Sequence, residues 1–169
     1  MQRLGSGMLV AACILGMAML TTFFAGVEER QRNPNQNPLS MVNAEFVEVQ
    51  LERNRQGHYL ARGTINGASV EFLLDTGATD VVIPADLAGK LGLPQGRARR
   101  AMTANGAVTV YETWLDSLSV GELTLYNVRA SINPGMRGTG ILLGMSALRE
   151  VEFTQRGDTL TLRQYTNRG

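Results

Sequence analysis

The residues best suited to chemistry stand together at Asp75-Thr76-Gly77-Ala78 and Asp80. They sit within Val70-Glu71-Phe72-Leu73-Leu74-Asp75-Thr76-Gly77-Ala78-Thr79-Asp80-Val81-Val82-Ile83-Pro84, a run that leaves one apolar strand, turns tightly and enters another. An ionised carboxylate held between two buried strands is costly unless it is hydrogen-bonded or put to use. Gly77 lets the backbone close around Asp75 and offer free N–H donors. The plainer reading is an Asp-Gly turn in an ordinary hairpin, but apolar strands on both sides do not suit a surface turn. The single histidine, His58, reads as a solvated residue at a strand start and excludes multi-histidine metal sites. The single cysteine, Cys13, lies in an apolar run, so no intrachain disulfide is available. These residues call for no metal and no cofactor. With a net charge of +1 and no basic block, nucleic acid is not a favoured partner, and the local cluster Arg97 to Arg100 reads as a solvated strand edge.

The elements around this turn are short and alternate with period two. Phe46-Val47-Glu48-Val49-Gln50-Leu51-Glu52 predicts a half-buried strand. Residues 59–65 predict a second, Asn66-Gly67 a two-residue hairpin turn, and residues 68–74 the strand that delivers Asp75. A short helix follows Pro84 and ends near Gly92. Asn105-Gly106 is a second hairpin signal. Two more strands flank Gly121-Glu122, with Trp114 expected in the core or at the base of a flap. Ile141-Leu142-Leu143-Gly144 predicts a buried strand that passes close to another backbone, hence the glycine. Residues 146–149 suit a helical turn, and a final hairpin turns at Arg156-Gly157-Asp158. Asp86, Asp116 and Asp158, at expected loop or helix starts, receive no chemistry. Many short strands and little helix imply a mainly β chain forming a small closed barrel with one or two short helices.

The N-terminal quarter differs. After a tail over residues 1–7, residues 8–27 carry no charge. About 20 apolar residues at about 1.5 Å each span a bilayer core of about 30 Å. A signal peptide is the rival, but the run is long for a signal core and Phe23-Phe24-Ala25-Gly26 is a poor cleavage site. An uncleaved transmembrane anchor is therefore the reading. Residues 28–45, rich in Asn, Gln and Pro, read as a flexible linker. The remaining domain occupies residues 46–169. Arg3 before the span and Arg30 and Arg32 after it leave the positive-inside rule nearly balanced.

Asp-Thr-Gly-Ala after Phe-Leu-Leu, followed by Val-Val-Ile-Pro, resembles the active-site segment of retropepsin-like aspartic proteases. Gly140-Ile141-Leu142-Leu143-Gly144-Met145-Ser146-Ala147-Leu148 is similar to the segment that closes each lobe in that family. The resemblance covers residues 46–164 and is nearest to single-lobe, membrane-anchored bacterial members. It implies a retropepsin-type barrel and an aspartic endopeptidase acting on extended peptide or unfolded protein. Asp-Thr-Gly occurs once, so it also implies a homodimer in which two Asp75 carboxylates share one site. On the same footing Asp75 is the general acid/base, Thr76 bonds across the dimer, and the Gly77 backbone approaches substrate. Ala78, Asp80, Asn105 and Gly106 then lie beside substrate, the last two at the tip of a flap. For Asp80 a turn cap or surface charge stays open, as does an ordinary barrel-wall hairpin for Asn105-Gly106. The resemblance places the protease domain outside the cytoplasm, periplasmic or otherwise extracytoplasmic, on a single-pass anchor.

The viral enzymes differ at two places. Thr79 stands where they carry an acid, and Met145-Ser146 where they carry Arg-Asn. Both partners of an internal ion pair are thus missing together, which strands no buried charge. A second reading keeps the barrel without catalysis, as a membrane-anchored peptide- or protein-binding module with Asp75 a structural turn residue. A third has the enzyme cut its own linker.

Overall fold

The computed structural model describes residues 2–103 and 106–166. It opens with helix α1 (Gln2–Arg32), followed by strands β1 (Leu39–Val42), β2 (Phe46–Glu52), β3 (Leu60–Ile65), β4 (Ala68–Leu74) and β5 (Val81–Pro84). Helix α2 (Ala85–Lys90), β6 (Ala98–Thr103), β7 (Gly106–Val120), β8 (Leu123–Asn133) and β9 (Gly140–Leu143) come next. The chain ends in α3 (Met145–Leu148), β10 (Glu152–Arg156) and β11 (Thr159–Tyr165).

Six strands close a barrel. The order β3-β4-β9-β5-β8-β7 returns to β3 through the antiparallel pairs Gly63↔Val120, Thr64↔Ser119 and Ile65↔Leu118. That seam needs a residue without a side chain, because a Cβ on Gly63 would lie 2.1 Å from the Ser119 carbonyl oxygen. Period-two alternation turns Val70 and Phe72 of β4, Val81 and Ile83 of β5, and Ile141 and Leu143 of β9 into the core. Leu115, Leu118, Ile132 and Leu148 complete it. Each such side chain, fully buried, contributes about 1.5–3 kcal/mol. The closed barrel and the strands read from the sequence are present. Trp114 differs: it faces outward from β7 and is 59% exposed.

β6 is not part of the closed wall. It pairs only with the first residues of β7, from Ala98↔Tyr111 to Thr103↔Gly106, whereas β8 begins to pair with β7 only at Tyr111. Residues 98–103 and 106–110 therefore leave the barrel as a two-stranded ribbon.

A second sheet, β1-β2-β11-β10, packs the two ends of the domain together. Here the chain departs from the flexible linker expected over residues 28–45. Residues 28–32 continue α1, Asn33 and Asn35 are buried, and β1 pairs with β2 from Leu39↔Gln50 to Val42↔Val47. Asparagine side chains with backbone partners supply the order that composition does not suggest. Across this sheet, Arg163 Nη2 and Nε donate to Glu48 Oε2 at 2.5 and 2.9 Å, and the Glu48 side chain is only 9% exposed.

The Arg163 guanidinium holds the Glu48 carboxyl below the usual glutamate range. A depressed folded-state value adds stability that is complete above the unfolded value, about 4.3, and disappears as pH falls through the folded value. Glu48→Gln is therefore expected to lower the urea midpoint at pH 6 and to change it little at pH 3. An equal loss at both pH values would contradict this account.

Candidate active site

β4 and β5 are consecutive in the chain but do not pair with each other. β9 lies between them, parallel to β4 from Glu71↔Gly140 to Leu74↔Leu143 and paired to β5 at Val82↔Leu142. The loop over residues 75–80 must cross the end of β9 to reach β5. It crosses at Gly144, where a Cβ would stand 2.1 Å from the Asp80 carbonyl oxygen and 2.7 Å from that of Ala78. The close backbone approach expected at Gly144 is thus present.

The crossing is fastened by short hydrogen bonds. Asp75 N donates to Leu143 O at 3.2 Å, Met145 N to Ala78 O at 2.8 Å, and Ser146 N to Thr79 O at 2.9 Å. Ser146 Oγ accepts from Val81 N at 2.9 Å and donates to Arg129 O at 2.7 Å. Ser146 thereby ties β5, α3 and β8 at one atom. Within the loop, Gly77 N donates to Asp75 Oδ1 at 2.9 Å and Ala78 N to Asp75 O at 3.2 Å. Asp75 is half-buried, while Thr76 and Gly77 are exposed. Among the described residues, Asp75 Oδ2 and the Thr76 hydroxyl have no hydrogen-bond partner within the chain. The loop thus leaves one carboxylate oxygen and one exposed hydroxyl unpaired on a fastened base.

Asp80 is placed differently from the substrate contact expected of it. Its side chain is 1% exposed. Arg99 Nη2 bonds to Oδ2, as does the Ser131 hydroxyl at 2.8 Å, and Arg129 Nη2 bonds to Oδ1 at 2.9 Å. Arg99 Nη2 also donates to Ser131 Oγ at 2.9 Å. Both carboxylate oxygens are occupied within the chain, so Asp80 is an internal anchor. Its partners explain its burial, since a carboxylate inside a protein persists only when paired and hydrogen-bonded. The anchor also reaches the ribbon, because Arg99 lies on β6 opposite Val110. Sequence reading missed this set: Arg99 counted as one of a solvated basic cluster, and Arg129, Ser131 and Ser146 carried no local signal.

Of the remaining expected residues, Ala78 sits in the fastened loop and Gly106 begins β7 with φ +106°, at the turn of the ribbon. Asn105 lies outside the described residues. Met102, near the ribbon tip, is 83% exposed. No group of three or more His, Cys, Asp or Glu able to hold a metal occurs among the described residues. His58 is exposed just before β3, as expected.

Removing the Asp80 carboxylate leaves two guanidinium groups facing a buried site. Asp80→Ala is expected to cost about 3 kcal/mol, against about 1 kcal/mol for Ser131→Ala, which removes one hydroxyl and its hydrogen bonds. Urea denaturation of both variants checks this, and a cost for Asp80→Ala no greater than for Ser131→Ala would contradict the anchoring role.

Comparison with known proteins agrees with this geometry. Residues 61–150 match the family described as "gag-polyprotein putative aspartyl protease". A solved structure of a retropepsin-like aspartic protease from Rickettsia conorii superposes with a TM-score of 0.58 at 26% identity, covering 76% of this chain and 96% of that one. An uncharacterized Sinorhizobium protein encoded in the cobV 5' region is 33% identical over 120 residues, covering 69% of this chain and 52% of the relative. An uncharacterized protein of Rickettsia prowazekii (strain Madrid E) is 29% identical over 109 residues, covering 63% and 46%. The chain thus spans about half the length of these two relatives. The matched family region runs from β3 to the end of α3 and contains the crossing loop, the ribbon and Gly144. This chain belongs to the retropepsin-like aspartic protease family.

Proposed function

We propose that the protein is an aspartic endopeptidase whose site forms from two copies of the chain, each contributing Asp75. The observation that carries the reading is the rigid loop that leaves Asp75 Oδ2 without a partner while the chain holds a single Asp-Thr-Gly. Two like charges a few Å apart cannot both ionise, so the pair shares one proton. The ionised carboxylate takes a proton from water as its oxygen bonds to the scissile carbonyl carbon. The protonated carboxyl donates to the carbonyl oxygen, which becomes a hydroxyl. The tetrahedral carbon then expels the amine, which takes a proton from the dyad, and the hydroxyl proton returns to it. Substrate is extended peptide or unfolded protein, covered by the ribbon of β6 and the start of β7. Exposed Thr76 bonds between the two loops, and the Gly77 backbone meets substrate.

α1 serves as an uncleaved single-pass anchor that holds the protease domain outside the cytoplasm. The supporting observation is the helical stretch Gly7–Arg32, within which an 18-residue window has mean hydropathy 2.2 and no buried share.

The test is cleavage of a library of unstructured peptides by the full chain in detergent, across pH and protein concentration, beside Asp75→Asn. Loss of a proton-transfer carboxylate is expected to reduce the rate by at least about 100-fold. Wild-type activity should rise faster than linearly at low protein concentration. Peptide binding without cleavage in wild type and Asp75→Asn alike would instead establish a binding module on the same barrel.

A further inference from the structure

The junction between α1 and the barrel is built, not loose. Arg32 Nη1 and Nη2 donate to the two Glu71 carboxylate oxygens at 2.7 and 2.9 Å, and Arg32 also pairs with Glu29 at 2.8 Å. Asn33 is fully buried; its Nδ2 donates to Glu71 Oε2 at 2.8 Å and its Oδ1 accepts from Asn35 N at 2.9 Å. Asn35, 4% exposed, bridges two strands: Nδ2 donates to Glu52 O and Leu60 O at 2.9 and 2.6 Å, and Oδ1 accepts from Glu52 N at 2.7 Å. Asn54 Nδ2 caps the helix end at Arg32 O, 2.8 Å away. Arg62 N donates to Asn35 O at 3.0 Å. Every buried amide in this clasp is satisfied, the condition under which a polar network rigidifies a structure.

Glu71, which receives Arg32 and Asn33, lies on β4, the strand that delivers Asp75 four residues later. The path from the last residue of the uncharged run, Val27, follows α1 to Arg32, crosses the ion pair and runs along β4. At about 1.5 Å per helical and about 3.3 Å per strand residue, it places Asp75 within roughly 30 Å of Val27 at any tilt. A flexible linker over residues 28–45 would instead allow up to roughly 60 Å.

We infer that this clasp makes the enzyme selective, among membrane-tethered substrates, for those whose cleavable segment lies within about ten extended residues, roughly 30 Å, of the bilayer. The inference rests on the proposed protease reading and on α1 remaining attached. Substrate class follows from reach: a segment beside the bilayer meets the fixed site, and a segment on a distant domain does not. The burial of Asn33 and Asn35 also removes the clasp from the enzyme's own access, against self-cleavage there.

The experiment uses the full chain in lipid vesicles with co-reconstituted single-pass reporters. Each reporter carries one cleavable segment, either 10 residues from its membrane helix or beyond a rigid 40-residue helical spacer about 60 Å long, and the same segment is supplied as a free peptide. A second enzyme carries twenty Gly/Ser residues inserted between Val27 and Glu28, which leaves every clasp contact in place but frees the barrel from the bilayer. Wild type is expected to cut the near reporter at least about tenfold faster than the far one, and the insertion variant to cut both alike. Free-peptide cleavage should be equal in the two enzymes. Equal cutting of both reporters by wild type, an unchanged ratio after insertion, or release of a barrel lacking α1 would overturn the inference. Failure of both enzymes to cut the free peptide would instead remove the protease reading beneath it.

Discussion

The candidate site depends on a crossing of two backbones at Gly144. β9 separates β4 from β5, so the loop carrying Asp75 has to pass over its end, and a side chain at Gly144 would occupy the space of the Asp80 carbonyl oxygen. The crossing converts a six-residue connection, which would ordinarily be mobile on a protein surface, into a fixed platform. Amide donors from Met145 and Ser146 satisfy the loop carbonyls of Ala78 and Thr79. What is left outward is the Asp75 carboxylate and its neighbours, positioned by groups that do no chemistry themselves.

Two polar networks, each anchored on a buried side chain, extend this platform in opposite directions. Asp80, five residues beyond Asp75, draws in Arg99 from the ribbon and Arg129 and Ser131 from β8. The ribbon and the loop are therefore fixed to one carboxylate. On the other side, Glu71, four residues before Asp75, receives Arg32 and Asn33 from the end of α1. Strand β4 and its loop thus connect the N-terminal helix to the ribbon through charged groups whose partners are all supplied from within the chain. Such networks cost much when one member is lost, which keeps the arrangement specific.

The barrel was legible in the sequence because its signals are local. Period-two alternation marks β2 and β4, and Asn66-Gly67 adopts the positive φ values, 50° and 80°, that its residue types favour in a two-residue turn. Gly144 after three apolar residues marked the close approach. The clasp was not legible, because Asn, Gln and Pro over residues 33–38 have the composition of a tether and their partners lie 17 to 38 residues away. Asp80 and Arg99 were misread for the same reason. Each looks solvated among its neighbours, and only the fold brings them together with Ser131 and Arg129. Trp114 shows the converse, a large aromatic residue that sits on an outward position of β7 despite its hydrophobicity.

The central claim is that one working site requires Asp75 from two chains, and mixing tests it most directly. Wild-type protein held at fixed concentration is equilibrated with a ninefold excess of Asp75→Asn at concentrations where dimers dominate. If each site needs both carboxylates, random pairing leaves about a tenth of the wild-type activity. Activity that stays unchanged as the inactive chain is added would contradict the shared site and place catalysis, if any, within a single chain.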